Sequence, residues 1–479
     1  MSLIFPPAGR SKDDVLDAMR AARAQDVCWQ DGRAFSLVYH AGQDVEALSK
    51  EAYTMFFSEN GLSPMAFPSL RHFEAEVVAM SAALLGGNGQ VVGNMTSGGT
   101  ESILVAVYAA REWARAHRPE ITRPEMVLPA SAHPAFDKAA HYFGVRAVRV
   151  PVADDFRADP AALRAAIGPS TILLVASAPS YPQGVVDPVA EIAALAQAHG
   201  LLCHVDACVG GFMLPFVRKL GYPVPPFDFS VPGVTSISAD LHKYGYAAKG
   251  ASVVLYRNRE LRRRAYFVHT DWSGGVYASP ALGGTRPGGA IAAAWAVMNY
   301  LGEEGYLRLA GEVMRTCEVI RNGVQAIPGL KILGQPVMSV MALASDEVDI
   351  YAVGDALAAR GWHLDRQQFP PSLHLTVHHG HVAVADQFLQ DLAACVALVR
   401  RPALPRLMDA ALVRFSNLLV RLLPASWVSR LMRRAGKWLG GGGEGRSAAM
   451  YGMLGTLPNR GDLRELVLDM LERMSQLAE

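Results

Sequence analysis

The chain of 479 residues is 51% apolar and 19% charged. That is too apolar for a disordered chain, and long enough for two or three domains or for one large α/β core with an appendage. Its 45 basic residues balance 44 acidic ones for a formal charge of +1, so no whole-molecule basic field is available to hold nucleic acid. Five scattered cysteines, Cys28, Cys203, Cys208, Cys317 and Cys395, form no C-x-x-C pair, which reads as a reducing compartment without disulfides or a structural zinc site.

The N-terminus, MSLIFPPAGRSKDD, has neither a long apolar stretch after a basic start nor a small-residue cleavage pattern. No apolar run reaches about 18 residues, so neither a signal peptide nor a spanning helix is expected. The expectation is a soluble cytoplasmic protein. From about Phe73 to Arg257, β-branched runs at 91–95, 126–129, 147–150, 172–176, 201–205, 234–238 and 252–256 predict strands. Helical patterns at 101–117, 135–143, 160–167 and 188–198 sit between several of them. The last two open with proline, whose missing N–H costs nothing in a helix's first turn. This alternation predicts a mostly parallel sheet covered on both faces, with ligands gathering at the carboxyl ends of its strands.

Beyond it, a helical pattern at 290–301 resumes at 306–326. Short strands at 331–333, 339–343 and 374–377, with helices at 350–359 and 382–399, suggest a smaller α+β domain. The expected division is an N-terminal segment 1–70, a large domain 71–305 and a small domain 306–402. A helical insertion with a Gly-rich linker would follow at 403–447, then a C-terminal segment 448–479 ending in a helix.

Three features fall at predicted strand ends. Thr96-Ser97-Gly98-Gly99-Thr100-Glu101 opens a helix, where free N–H groups and the positive dipole end suit a phosphate. Asp206 ends the strand Leu201-Leu202-Cys203-His204-Val205, where it could hold a cationic ring protonated. Ser238-Ala239-Asp240-Leu241-His242-Lys243-Tyr244 places a lysine at the mouth of the sheet, suited to a Schiff base if desolvated. Singly, each is equally an ordinary N-cap, turn former or solvated amine. Together they are the minimum parts of a pyridoxal 5′-phosphate site. His133, just after a strand, could stack its ring on the cofactor.

Seven segments in order, NMTSGGTES, SAHPAFDKAAHYFGV, YPQGVVDP, HVDACVGGF, PFDFSVPGVTSISADLHKYGYAAKG, TDWSGGVYASP and TRPGG, resemble sphingosine-1-phosphate lyase. That family is a group II decarboxylase branch of the fold-type I pyridoxal-phosphate enzymes. The likeness runs from about Ser36 to Arg400, with MYGMLG (450–455) similar to the family's C-terminal end. It implies a homodimer with active sites at the subunit interface and retro-aldol cleavage of a phosphorylated long-chain base to a fatty aldehyde and phosphoethanolamine. By resemblance, Lys243 carries the cofactor, Asp206 pairs with its ring nitrogen and His133 stacks on it. Ser97, Gly98, Gly99, Thr100, His242 and Ser238 complete the cofactor side. Lys249 would take the substrate phosphate, with Tyr39, Asn60 and Ser63 also on the substrate side. Tyr181 would lie near the reacting carbons, and no metal is implied. The base that takes the C3 hydroxyl proton stays open between Lys243, Tyr181 and the substrate's own phosphate. Ser63 stands where the family often has His, and no counterpart of the membrane anchor of eukaryotic members is expected.

The apparent insertion, residues 406–439, carries seven basic residues (Arg406, Arg414, Arg421, Arg430, Arg433, Arg434, Lys437) against Asp409 alone. Trp427, Trp438 and leucines occupy its remaining surfaces, and Pro424 splits it. A peripheral membrane contact is expected there, the alternative being a helical pair packed on the dimer. Two rival functions remain for the chain: a pyridoxal-phosphate glutamate or aromatic amino-acid decarboxylase on the same scaffold, and a non-catalytic scaffold.

Overall fold

The computed structural model describes Pro6, residues 8–24 and 26–401, and six positions between 464 and 472. The 406–439 stretch and MYGMLG lie outside the described residues. Three helices come first: α1 (Lys12–Arg23), α2 (Gln43–Met55) and α3 (Pro68–Leu84). The chain then alternates through β1 (Val92–Thr96), α4 (Gly99–His117), β2 (Glu125–Pro129), α5 (Ala135–Phe143), β3 (Arg146–Val150) and α6 (Pro160–Ala166). It continues with β4 (Thr171–Ser177), α7 (Val189–Ala198), β5 (Leu202–Asp206), α8 (Leu214–Lys219), β6 (Ser236–Ala239) and β7 (Ser252–Tyr256).

These seven strands form one sheet in the order β1-β7-β6-β5-β4-β2-β3, with β7 antiparallel to both neighbours and every other pairing parallel. The central strands are buried along their whole length, which is why β4 reads as the unbroken apolar run Ile172-Leu173-Leu174-Val175-Ala176. Because β1 lies parallel to β6 across β7, the carboxyl ends of β1, β2, β4, β5 and β6 share one edge. The register Thr96↔Ser252 brings the entry to β7, and with it Lys249 and Gly250, to that edge as well.

Helix α6 starts as its sequence suggests. Asp159 caps it, accepting from the Ala161 N–H at 2.8 Å, and Pro160 occupies the first turn. In α7 the proline is displaced by one position: Pro188 is the cap residue itself, with Val189 the first helical residue. The short helix α9 (Arg259–Arg263) and a hairpin of β8 (Phe267–His269) and β9 (Tyr277–Ser279) follow the sheet.

Helix α10 (Gly288–Ala326) is two helices end to end, broken at Gly302 with φ 54° and ψ −174°. This matches the interruption between the helical patterns at 290–301 and 306–326. A second sheet of order β10-β11-β13-β12 comprises β10 (Leu330–Ile332), β11 (Val340–Ser345), β12 (Asp365–Gln367) and β13 (Ser372–Thr376). Helices α11 (Ile350–Ala358) and α12 (Ala385–Arg400) accompany it. The N-terminal helices α1, α2 and α3, along with α8, α9, the β8–β9 hairpin and β12, have no counterpart among the sequence expectations. The N-terminal segment crosses to the second sheet, where the Phe35 N–H donates to the His363 carbonyl and the Thr376 N–H to the Phe35 carbonyl.

Candidate active site

At the shared edge lies a cavity of about 400 Å³, within the usual size of small-molecule sites. Its lining includes Gly98, His133, Tyr181, Asp206, Asp240 and Lys243, together with Ser97, Gly99, Thr100, Cys208 and His242. Each strand delivers a group at or just past its carboxyl end: β1 the SGGT turn, β2 His133, β4 the loop with Tyr181, β5 Asp206 and Cys208, β6 the loop with Lys243.

Helix α4 opens without a side-chain cap at Gly98, so its first amides remain for an anion. Gly99 is required by crowding: a Cβ there would stand 2.7 Å from Cys208 Sγ and 2.8 Å from Asp240 Oδ2. Ser97 borders the cavity, but both its N–H and its hydroxyl donate to Glu101 Oε2 at 2.6 Å. Glu101, for which the sequence suggested no role, also accepts from the Leu282 N–H at 2.8 Å. His133 sits exposed at the rim, its Nδ1 accepting from the Ala135 N–H at 3.1 Å.

Asp206 is held by neutral donors, the Cys208 N–H at 3.1 Å and the Ser238 hydroxyl at 3.3 Å on Oδ1. Ser238 lies beneath it, off the cavity wall and fully buried. His204 sits below in turn, with Nδ1 2.9 Å from Ser236 Oγ and Nε2 3.2 Å from Ser238 Oγ. Burial lowers the His204 pKa to about 4, so a neutral ring backs the Asp206 carboxylate.

Lys243 pairs with Asp240, Nζ to Oδ2 at 2.9 Å. Burial works against the lysine's charge, but the Asp240 carboxylate and, less strongly, the groups of Tyr39 and Cys208 raise its pKa. Burial likewise opposes the charge on Asp240, whose pKa Lys243 and His242 nevertheless bring below the ordinary carboxylate range. His242 Nε2 is 3.7 Å from Asp240 Oδ2, and its buried Nδ1 has no protein partner. Tyr244 fastens this loop to the second sheet, donating to the Val377 carbonyl at 2.6 Å with Ser339 Oγ at 2.5 Å.

Tyr181 is held from the second sheet. Its ring stacks on His374, centroids 4.0 Å apart, and its hydroxyl donates to Asp365 Oδ2 at 3.1 Å. Burial and the Asp365 charge raise the phenol's pKa, while a hydrogen bond from His363 takes Asp365 down to about 2. Lys249 keeps solvent access, with Nζ 5.5 Å from the centroid of the Tyr39 ring. Packing around the Lys249 ammonium and the nearby Lys243 charge lower its pKa. Tyr39 meets Tyr244 edge-on at 4.9 Å. Asn60 and Ser63 are not in this cavity. Asn60 bridges Pro287 and Gly61 donates to the Arg286 carbonyl at 2.8 Å, on a surface where Phe57 is 75% and Met65 84% exposed.

The donor set fits pyridoxal 5′-phosphate: an uncapped helix start and an unpartnered imidazole nitrogen for the phosphate, a carboxylate for the ring nitrogen and a lysine, all lining one cavity. The fold and this set define a pyridoxal-phosphate-dependent enzyme of fold-type I. Residues 5–343 match the pyridoxal-dependent decarboxylase conserved domain. Sphingosine-1-phosphate lyase of Oryza sativa subsp. japonica is 43% identical over 98% of this chain and 81% of its own length. The structure of Burkholderia pseudomallei sphingosine-1-phosphate lyase superposes with a TM-score of 0.81 at 41% identity, covering 88% of this chain and 96% of that one. The chain belongs to the sphingosine-1-phosphate lyase family, within the pyridoxal-dependent decarboxylases. Lactobacillus brevis glutamate decarboxylase shares the fold at a TM-score of 0.74, covering 84% of this chain and 96% of that one, at only 17% identity.

Proposed function

We propose that this chain is a pyridoxal-phosphate-dependent lyase that splits the C2–C3 bond of a phosphorylated long-chain base, such as sphingosine 1-phosphate. The products are a fatty aldehyde and phosphoethanolamine. The observation that carries the substrate assignment is a second ammonium, that of Lys249, beside the Lys243 cavity. Lys249 forms no ion pair among the described residues and has the Tyr39 ring beside it. A decarboxylase needs a cation for an α-carboxylate, whereas this lysine lies six residues past Lys243 and suits a more distant phosphate.

Bound pyridoxal phosphate supplies an electron sink for the pair left when the carbon–carbon bond breaks. The chain does the rest. Amides at Gly98, Gly99 and Thr100 and the His242 ring would hold the cofactor phosphate, and the Asp206 carboxylate would keep the ring nitrogen protonated. His133 would cover a ring face, and Lys243 Nζ would bond the aldehyde carbon. Ser97, committed to Glu101, and Ser238, beneath Asp206, would shape the site from outside it. Tyr181, oriented by Asp365 and His374, would face the reacting carbons. Lys249 would fix the substrate phosphate, which matters because an alkyl chain slides in an apolar groove whereas a dianion on an ammonium does not.

The exposed Phe57 and Met65 beside Asn60 and Ser63 support a homodimer in which those two residues serve the partner's site. Among the described residues no helix is long and apolar enough to cross a membrane. Peripheral contact through the basic 406–439 stretch, in a cytoplasmic protein, completes the reading. Deleting 406–439 should abolish liposome flotation while sparing cleavage of a short-chain substrate, and flotation that survives the deletion would refute the membrane contact. The deciding experiment for the function is mass detection of a long-chain aldehyde from sphingosine 1-phosphate, with Lys243→Ala giving none. Carbon dioxide from glutamate or tyrosine and no aldehyde would reverse the assignment.

A further inference from the structure

We propose that Asp240 is the counter-ion that keeps Lys243 an ammonium whenever its nitrogen is not bonded to the cofactor, so that Lys243 acts as a proton donor and not as the base for the substrate hydroxyl. The inference rests on the reading that Lys243 carries the cofactor, and it concerns what that lysine does once released.

The pair is built into the fold. Asp240 follows directly on the last residue of β6, and its side chain is 1% exposed. The Asp240 N–H donates to the Cys208 carbonyl at 3.3 Å and the Lys243 N–H to the Asp240 carbonyl at 3.4 Å, so carboxylate and ammonium belong to one tight turn. The start of α4 closes over the carboxylate, since a Cβ on Gly99 would stand 2.8 and 3.0 Å from its two oxygens. A carboxylate this buried needs a cation, and the ammonium 2.9 Å away is the one it has at contact distance.

Of the three carboxylates that line the cavity, Glu101 is committed to Ser97 and the Leu282 N–H, and the other two are divided in their work. Asp206 spends its Oδ1 on the neutral donors Cys208 N–H and Ser238 Oγ–H and keeps its charge for a ring cation. Asp240 spends its charge on Lys243. The titratable groups that bear on Lys243 are Asp240, His242 and Lys249 of its own loop, Tyr39 of the N-terminal segment, Cys208 after β5 and Tyr181 after β4. Of these six, Asp240 is the carboxylate; Asp206 and Glu101 share the cavity but are hydrogen-bonded to other groups.

As donor, Lys243 breaks one Nζ–H bond and a C–H bond forms at the substrate carbon that holds the electron pair. The N–H pair stays on Nζ as a lone pair. The product carbon is then complete and the lysine is the neutral amine needed to recapture the cofactor. The hydroxyl proton is left to the substrate's phosphate, or to the Tyr181 oxygen as that hydroxyl passes its own proton to Asp365 Oδ2.

The test is competitive acetylation of the full chain freed of cofactor, with trace acetic anhydride over a range of about pH 6 to 11 that brackets the ordinary lysine value. The midpoints for Lys243, Lys249 and the exposed Lys12 are read by fragment mass spectrometry. In the wild type, Lys243 should titrate above Lys12 and Lys249 below it. Asp240→Asn should bring the Lys243 midpoint below that of Lys12, with at least about tenfold more labelling at pH 8. Asp240→Glu should restore the high midpoint, a rescue that a purely structural role does not predict. A wild-type Lys243 midpoint at or below that of Lys12 overturns the proposal, even if the Asn variant fails to fold. So does an Asn variant whose midpoint matches the wild type. An enzyme that yields no aldehyde but shows these midpoints would sink the proposed activity and leave the counter-ion standing.

Discussion

Asp206→Asn keeps the shape of a side chain that accepts from the Cys208 N–H and the Ser238 hydroxyl, and removes only its charge. A carboxylate beside a cation is worth about 1–3 pKa units, so the cofactor's ring nitrogen should titrate lower by that amount. Turnover should fall about 10- to 1000-fold, at about tenfold per unit. A spectral pH titration beside kcat, with the thermal midpoint as control, checks both; an unshifted titration counts against Asp206 as the ring's partner. Tyr181→Phe leaves the ring on His374 and deletes the hydroxyl that donates to Asp365. Loss of a proton-transfer group costs about 10²–10⁴ in kcat, whereas one hydrogen bond costs only about 1 kcal/mol of stability. The expected outcome is therefore an inactive protein of nearly normal melting temperature. Asp206, Lys243, His133, His242 and the Gly98–Thr100 turn could be read from the sequence because each sits within a few residues of a strand end. The Asp365 that orients Tyr181 could not, being 184 residues away on another sheet. Asp240 stood in plain view three residues before Lys243, but nothing in its spacing distinguishes a buried counter-ion from a turn-forming aspartate.

The loop that carries Lys243 depends on the second sheet through Tyr244. Tyr244→Phe leaves the buried Val377 carbonyl without its donor, a loss of about 1–3 kcal/mol by the cost of an unsatisfied buried group. Chemical denaturation should show that loss, together with weaker retention of pyridoxal phosphate on dialysis. Gly302 breaks α10 with a backbone conformation that side chains rarely adopt, although nothing lies within 4 Å of where its Cβ would be. Gly302→Ala should therefore cost about 1–3 kcal/mol through backbone strain alone, with the active-site spectrum unchanged. Strand β4 was the most readable of the main sheet because a buried parallel strand is a continuous apolar run, whereas β3, with Arg146 and Arg149 and only Val150 buried, has no such run. Strand β12, Asp365-Arg366-Gln367, was not readable: three polar residues show no alternation, and only pairing with β13 makes them a strand. The β8–β9 hairpin is missed for the related reason that Phe267, Val268 and His269 are all exposed.

For the molecule as a whole, buried neutral histidines set the response to acid. His204, His374 and His381 are fully buried, and burial takes each pKa to about 4. The unfolded chain, with its histidines near pH 6.5, binds more protons than the folded one between about pH 6.5 and 4, so stability falls as pH drops through that window. Each histidine contributes about 3 kcal/mol of that loss. Asp187 runs the other way. Burial raises its pKa to about 6, so the folded state holds a proton there that the unfolded state has released, and this offsets about one histidine. Denaturation midpoints should drop steeply from pH 7 to 4.5; a flat profile would show the rings to be less shielded than their burial implies. Because Tyr244 and Tyr181 tie the cavity to the second sheet, damage to that sheet should surface far from where it occurs. A variant with a defect under β11 or β13 should shed its vitamin-derived group before it unfolds. Supplying that group in excess should then partly repair it by mass action, which makes nutritional rescue a way to map which substitutions work through this fastening.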